Sequence, residues 1–150
     1  MKKFVAFSLV FLLLISLSAC GAAKSADLPA LYSQMESTLP EMLVLDDNTM
    51  LNFLGINSAD CTQVVASICN DGLRADEVWL IEAKDASAAE SLVALAERRI
   101  ESKKAETINY TPDQYLIVEK AELIAEGNYV ILLVSPDVDA LAAMVAESIQ

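Results

Sequence analysis

The chain has 150 residues, 55% of them hydrophobic, and carries 22 acidic side chains, 10 basic side chains and no histidine, for a net charge of −12. This length suits a single domain with one core. The negative charge argues against nucleic acid as a partner, because such a surface repels phosphate backbones. The lack of histidine removes the most common general base near neutral pH and a common zinc ligand.

The first 19 residues have the composition of a secretory signal peptide. Lys2 and Lys3 give a positive start, and residues 4–17 form an uncharged apolar run that is too short to span a bilayer as a stable helix. The run ends in Leu17-Ser18-Ala19-Cys20, which resembles the lipobox of bacterial lipoproteins. In that motif the cysteine thiol receives a diacylglyceryl group, with acyl chains such as palmitate, before the signal peptide is removed. The resemblance implies lipidation of Cys20 and a chain held on the outer face of the cell membrane.

Residues 20–27 are expected to form a lipidated tether. The segment after Cys20 is small and polar, and at about 3.5 Å per residue it reaches no more than roughly 25 Å. The domain of residues 28–150 is therefore predicted to lie close to the membrane. Without Lys2 and Lys3, eight basic residues oppose 22 acidic ones, a net charge of −14. Because that charge also repels anionic headgroups, the acylated cysteine is expected to be the main membrane contact.

Two short helices are predicted at the start of the domain. Leu28, Leu31 and Met35 recur at near-helical spacing. The run Asp46-Asp47-Asn48 is then expected to cap a second helix that ends at Gly55. The same run could offer oxygen ligands to calcium, but it lacks the spacing and the central glycine of an EF-hand loop, so the helix cap is the preferred interpretation.

Two pairs of β-strands are predicted farther along the chain. Residues 62–69 and 76–83 flank the hairpin signal Asn-Asp-Gly, and residues 122–125 and 129–135 flank Gly-Asn. Residues 78–81 are apolar at every position, so their strand is expected at the centre of a sheet.

The pair Cys61 and Cys69 invites a disulfide outside the membrane. However, the extended chain between them should hold their sulfurs on the order of 25 Å apart. Both are therefore expected to be buried free thiols.

Three further helices follow from capping signals. Residues 87–90 match a capping box at the start of the longest helix, residues 111–114 place a threonine before a proline, and Pro136-Asp137 begins the last helix. After the N-terminal helices the order is ββααββα. This order predicts an α+β fold in two layers, with helices covering one four-stranded, mainly antiparallel sheet.

No motif for catalysis, metal binding or a cofactor is recognised. The sequence contains no P-loop, no Gly-x-Gly-x-x-Gly and no nucleophile elbow. Catalytic residues, metal ligands and cofactors are therefore all predicted to be absent.

The basic residues Arg98, Arg99, Lys103 and Lys104 could dock an anionic polymer, but they do not share one helix face at 100° per residue. Solvated helix surface near a negative dipole end is the preferred interpretation.

Three aromatic residues are candidates for a binding surface. Trp79, Tyr110 and Tyr115 could contribute to an aromatic and polar rim that binds carbohydrate or peptide. Tyrosines more often close the end of a core with the hydroxyl in water, so packing is the preferred interpretation.

Four runs of the sequence together resemble a bacterial family of short secreted lipoproteins whose domain has no known function. They are LPEM at residues 39–42, RADEVWLI at 74–81, YTPDQY at 110–115 and GNY at 127–129. The similarity extends from about Leu28 to Ile149. The resemblance implies an exported α+β lipoprotein and supplies no catalytic residues.

The expected function is that of a membrane-anchored lipoprotein outside the cytoplasm that binds a protein or a polymer of the cell envelope and is not an enzyme. One alternative is a solute-capture lipoprotein that serves a transporter. A second alternative is an envelope hydrolase that uses a pair of carboxylates.

Overall fold

The computed structural model describes residues 25–149. The predicted signal peptide and the predicted lipidation site at Cys20 lie outside the described residues. Those described form five α-helices and five β-strands, in the order α1 (Leu28–Met35), β1 (Met42–Val44), α2 (Asp47–Thr49), a π-helical turn (Met50–Leu54), a 3-10 turn (Ser58–Asp60), β2 (Cys61–Cys69), β3 (Glu77–Ala83), α3 (Ala86–Tyr110), α4 (Pro112–Glu119), β4 (Glu122–Glu126), β5 (Tyr129–Val134) and α5 (Val138–Ser148).

The strands form one antiparallel sheet in the order β1-β2-β3-β5-β4. The predicted α+β class and the central position of β3 are confirmed. The sheet has five strands and not four, because β1 adds to the edge next to β2, with Met42 opposite Cys69 and Val44 opposite Ser67. A strand of three residues is too short to show an alternating pattern in the sequence.

Helices cover both faces of the sheet. Trp79 and Ile81 on one face of β3 pack in a core with α3 and α4, whereas Val78 and Leu80 on the other face pack with α1 and α5. The domain therefore has three layers where two were predicted. Side chains that are apolar on both faces of a strand need cover on both sides, and α1 and α5 supply the second cover.

The two ends of the sheet are distinguished by their residues, and we call them the Glu77 end and the Ser25 end. Strand β3 begins at Glu77 beside Ile68 and Val134. Its other end carries Glu82, whose carboxylate accepts a hydrogen bond of 3.0 Å from the Ser25 hydroxyl. Glu77 and Glu82 are five positions apart along the strand, a distance of about 17 Å.

The chain is fixed to the domain from Ser25 onward. Gln63 Nε2 donates to the carbonyl oxygen of Ala26 at 2.8 Å and to Glu82 Oε2 at 2.7 Å. The amide of Ala26 donates to the hydroxyl of Tyr129 at 2.8 Å. Residues 25–27 therefore belong to the folded domain, and the predicted tether of residues 20–27 is too long at its C-terminal end.

Helix α3 is longer than the sheet that it covers. Its 25 residues span about 37 Å, and the seven residues of β3 span about 23 Å. Arg99 and Lys103 of α3 contact Glu77. The last two turns of α3 therefore extend past the sheet at the Glu77 end.

The N-cap of α3 is Asp85 and not the predicted Ser87. Asp85 Oδ1 accepts a hydrogen bond of 2.8 Å from the amide of Ala88, three residues later. The helix begins at Ala86, so Ser87 is already inside it and cannot act as its N-cap.

The expected cap of α2 is confirmed. Asp46 Oδ1 accepts a hydrogen bond of 2.7 Å from the amide of Thr49, and this bond lowers the pKa of Asp46. The acidic run therefore serves the helix start.

Both cysteines of the domain are free, as expected. They occupy the two ends of β2 and therefore cannot reach one another. Cys69 is buried as predicted, whereas Cys61 is only half-buried, and its burial raises the pKa of its thiol.

Candidate functional site

The three aromatic candidates do not share a surface. Trp79 is 0% exposed, and its indole N–H donates a hydrogen bond of 2.8 Å to Glu77 Oε1. Tyr110 is 85% exposed at the end of α3, and Tyr115 is half-buried on α4. A ligand at the surface can therefore touch the two tyrosines but not the indole of Trp79, which is part of the core.

Glu77 lies at the centre of a buried ion cluster that the sequence did not reveal. Arg99 Nε and Nη2 donate to its two carboxylate oxygens, with the shortest distance 2.8 Å from Nη2 to Oε2. Lys103 Nζ lies 2.9 Å from Oε2. Together with the indole of Trp79, these groups satisfy a carboxylate that has no exposure to solvent.

The partners of Glu77 keep it charged. Burial is the largest influence on the pKa of Glu77 and raises it, but the hydrogen bonds from Arg99 and the charges of Lys103 and Arg99 outweigh burial and hold the pKa below its usual range. Burial likewise lowers the pKa of Arg99, and the hydrogen bond and charge of Glu77 raise it overall. Glu77 and Arg99 are therefore both ionised near neutral pH.

A second ion pair lies in the loop before β3. Arg74 donates from Nε to Asp76 Oδ2 at 3.0 Å and from Nη2 to Oδ1 at 3.2 Å. These bonds raise the pKa of Arg74. The amide of Ala75 between them donates to Gln114 Oε1 of α4 at 2.8 Å, so α4 fixes the position of this loop.

Arg74, Asp76 and Arg99 from these two ion pairs line a depression at the Glu77 end, which we call the Arg99 cleft. Its volume is about 190 Å³. The ring of Phe53 forms one wall, with its centroid 5.0 Å from the guanidinium carbon of Arg99, a stacking arrangement that stabilises a cation. The residues that line the cleft are Phe53, Ile68, Cys69, Gly72, Arg74, Asp76, Arg99, Lys103 and Glu106.

Exposed apolar side chains are concentrated around the same end of the domain. Leu43 is on the edge strand beside Ile68, Leu73 is in the loop before β3, and Ile108 and Tyr110 are on the turns of α3 that extend past the sheet. Such groups are unfavourable in water unless a partner covers them. Among the described residues, the large apolar side chains that are at least half exposed are Leu43, Val44, Leu51, Phe53, Leu73, Ile108, Tyr110 and Leu116.

The prediction of solvated helix surface is wrong for two of the four basic residues of α3. Arg98 is exposed and Lys104 forms a surface pair with Glu101 at 2.9 Å, but Arg99 and Lys103 share Glu77. The signal that could have found this site is the combination of an acidic residue at the start of an apolar strand with two cations one helical turn apart.

Two larger depressions lie at the Ser25 end. One is a groove of about 410 Å³ between the first turns of α3 and the β4–β5 hairpin, with a floor of small residues and with Glu90 and Glu97 in its lining. The other, of about 450 Å³, lies beside Ser25 and Tyr129. Both have acidic residues in their lining and no basic ones.

Within residues 25–149, no group of three or more cysteine and carboxylate side chains is arranged to hold a metal ion. In the same part of the chain, no helix combines the length and apolar character that a membrane span needs.

Comparison with known proteins identifies a family match over most of the described domain. Residues 35–135 match the family model described as a domain of unknown function (DUF4358). The match begins at the end of α1 and ends just after β5, so it includes the whole sheet and the Arg99 cleft. The predicted resemblance to a domain of unknown function is confirmed. No curated protein and no solved structure gives a significant match.

Proposed function

We propose that this chain, which belongs to the DUF4358 family of domains of unknown function, is a membrane-anchored lipoprotein outside the cytoplasm that binds a partner through its Glu77 end. The anchor is the acylated Cys20. The docking surface consists of the Arg99 cleft and the exposed apolar side chains around it. The partner is a protein or a polymer of the cell envelope, and the apolar side chains favour a protein.

The observation that carries this proposal is the position of the exposed apolar side chains. Leu73 is 75% exposed and Phe53 is 55% exposed, and both border charged residues of the Arg99 cleft. An apolar centre with adjacent arginines is typical of surfaces that bind proteins. The Ser25 end instead carries the polar contacts that hold the N-terminal segment.

The first described residue, Ser25, lies at the end of the domain opposite the docking surface. Ser25 is five positions after Cys20, a reach of no more than about 17 Å. The Ser25 end is therefore close to the bilayer once Cys20 is acylated. The Glu77 end then faces away from the membrane, where a partner can reach it.

A binding role agrees with the state of the carboxylates at the cleft. Asp76 and Glu77 are each paired with an arginine through two nitrogen atoms. The Glu77 carboxylate also accepts from Trp79, contacts Lys103 and has no exposure to solvent, so it offers no lone pair to a substrate, as a general base must. The proposal is therefore binding and not catalysis, and the carboxylate-dependent hydrolase gains no support from this arrangement.

Metabolic labelling tests the anchor. Cells that express the full chain are grown with an alkyne-labelled fatty acid, and the Cys20→Ser variant is the control. We expect label on the wild-type protein and none on the variant, with the wild-type protein in the membrane fraction. Equal labelling of both proteins, or of neither, would refute the anchor.

Crosslinking in intact cells tests the docking surface. A benzophenone amino acid replaces Leu73 at the Glu77 end or Asn128 at the Ser25 end, both of which are exposed. We expect a reproducible adduct from position 73 that is absent from position 128. The proposal fails if position 73 gives no adduct, or if both positions give the same adducts.

One observation favours a solute-capture lipoprotein as the second candidate. The groove between α3 and the β4–β5 hairpin is, at about 410 Å³, large enough for a small ligand. A thermal-shift screen of envelope sugars and peptides separates the two candidates. One saturable stabiliser whose effect is lost in the Ala94→Trp variant, which places a large side chain in the groove from a partly exposed position, would favour solute capture.

A further inference from the structure

We infer that the Arg99 cleft binds the carboxylate of a peptide segment in which an apolar side chain adjoins that carboxylate. This inference deepens the proposed docking surface and rests on the proposed function for its biological role. It assigns a chemical class to the partner at that surface.

The cleft contains donors that the internal ion pairs do not use. Arg99 directs Nε and Nη2 at Glu77, and Arg74 directs Nε and Nη2 at Asp76. The Nη1 group of neither arginine donates to any residue within 25–149. Two guanidinium groups with unused N–H donors on one small cleft offer the planar geometry that a carboxylate accepts.

The buried groups of the cleft leave one positive charge over, and two exposed carboxylates, Glu106 and Asp71, lie near enough to act on Arg99 and Arg74. Arg74, Arg99 and Lys103 carry three positive charges, and the buried Asp76 and Glu77 carry two negative ones. Glu106 supplies a third negative charge from an exposed position, where its Oε1 accepts a hydrogen bond of 2.8 Å from Ser102. A ligand carboxylate therefore competes with these two exposed carboxylates for the same cations.

The surroundings select a peptide carboxylate over a phosphate-rich polymer. Phe53 stacks on Arg99, and the exposed Leu73 precedes Arg74 in the chain, so a ligand at these arginines gains from an apolar group next to its charge. The domain itself is strongly acidic, and it repels a polyanion far more than a single carboxylate. A cleft of about 190 Å³ also accepts one small anionic group and not a repeating chain.

A pair of matched probes tests the inference on the purified domain. N-acetyl-leucine presents an apolar side chain beside a carboxylate, and N-acetyl-leucinamide is the same molecule without the charge. Inorganic phosphate is the third probe, and ionic strength is held constant. The readout is the indole N–H resonance of Trp79, the only tryptophan of the chain, because its acceptor Glu77 also binds Arg99.

Two variants alter the charge of the cleft without removing an ion pair. A side chain at Gly72 meets no atom within 4 Å, so Gly72→Asp adds a negative charge to the cleft and Gly72→Asn is its uncharged control. Glu106→Gln removes one competing carboxylate and retains an oxygen acceptor for Ser102. Unchanged circular dichroism confirms that each variant is folded.

The expected result is saturable binding of N-acetyl-leucine in the millimolar range, with no saturable response to N-acetyl-leucinamide and weaker binding of phosphate. Gly72→Asp should weaken binding at least tenfold, Gly72→Asn should change it less than twofold, and Glu106→Gln should strengthen it about threefold.

The inference is overturned if the amide binds as well as the acid, if phosphate binds more tightly, or if Gly72→Asp binds like the wild type. Because no partner is present, these outcomes are independent of the crosslinking result.

Discussion

At the scale of single residues, Glu77 shows how an apolar strand can accommodate a charge. Its carboxylate is completely buried, and removing an ion from water costs several kcal/mol unless partners compensate. Arg99, Lys103 and Trp79 supply that compensation through short contacts. Because all four groups depend on one another, the cluster fixes the position of α3 relative to β3.

The first prediction concerns the Glu77→Gln variant and acid. The unfolded chain binds a proton at Glu77 near pH 4.3, whereas the folded protein binds it only at lower pH because the pKa is depressed. The ion pair therefore contributes its full stability above the pKa of the unfolded chain. This contribution is lost as pH falls below that value and through the lower pKa of the folded protein. The variant should lose about 3–5 kcal/mol at pH 7, because it leaves two buried cations without a counter-charge.

Urea unfolding between pH 7 and pH 3 measures this effect. The difference in unfolding free energy between wild type and variant should shrink as pH falls below about 4.3, by up to about 1.4 kcal/mol per pH unit. Glu101→Gln is the control, since Glu101 forms only a surface pair with Lys104, and it should change stability by less than about 1 kcal/mol. A pH-independent difference for Glu77→Gln would contradict the assignment of the charge.

At the scale of elements, much of the fold was predictable because the relevant signals are local. Strands β2, β3, β4 and β5 agree with the predicted segments to within one or two residues, and helix α4 begins at Pro112 as the capping signal predicts. The side chain of Gln114, however, does not serve the start of α4 as a capping pattern suggests. It accepts a hydrogen bond from the amide of Ala75, 39 residues away, and no local pattern reports such a contact.

The candidate site was less predictable than the elements. Helix periodicity gives the direction of each side chain relative to the apolar stripe of its own helix. It does not give the position of a buried acid in a neighbouring strand, so Arg99 and Lys103 were expected to face solvent. The third layer was missed for a related reason. The apolar character of residues 78–81 on both faces indicated cover on both sides, but the preference for a simple two-layer arrangement outweighed it.

The second prediction distinguishes two caps at the start of α3. Asp85→Ala removes the acceptor for the amide of Ala88 and should lower the unfolding free energy by about 1 kcal/mol. Ser87→Ala should change it by no more than about 0.5 kcal/mol, because Ser87 is exposed and within the helix. Thermal unfolding of the two variants measures the difference. A larger loss for Ser87→Ala would restore the capping box at residues 87–90.

The third prediction concerns the two helical layers. Leu92 of α3 and Leu141 of α5 are buried on opposite faces of the sheet, so Leu92→Ala and Leu141→Ala should each cost about 2–5 kcal/mol. The exposed Leu116 of α4 is the control, and Leu116→Ala should cost less than about 0.5 kcal/mol. Denaturant unfolding measures all three. If Leu141→Ala resembled the control, α5 would not be an integral layer.

At the scale of the whole molecule, the surfaces at the two ends of the central strand β3 differ in charge and in exposed apolar area. The Ser25 end has acidic depressions and the hydrogen bonds that hold residues 25–27. The Glu77 end has the cations and the exposed apolar side chains. For the proposed anchored protein, the orientation of the domain therefore decides which surface a partner meets.

The fourth prediction is that an acylated protein presents its Glu77 end away from the bilayer. A nitroxide amino acid replaces Asn128 at the Ser25 end or Leu73 at the Glu77 end, and the lipidated protein is inserted into vesicles whose headgroups chelate nickel. The two positions are separated along the sheet by roughly 20 Å, and relaxation by a metal decreases steeply with distance. The nitroxide at position 128 should therefore relax faster than the one at position 73. The unacylated Cys20→Ser protein should show no enhancement at either position, and faster relaxation at position 73 would place the docking surface against the membrane.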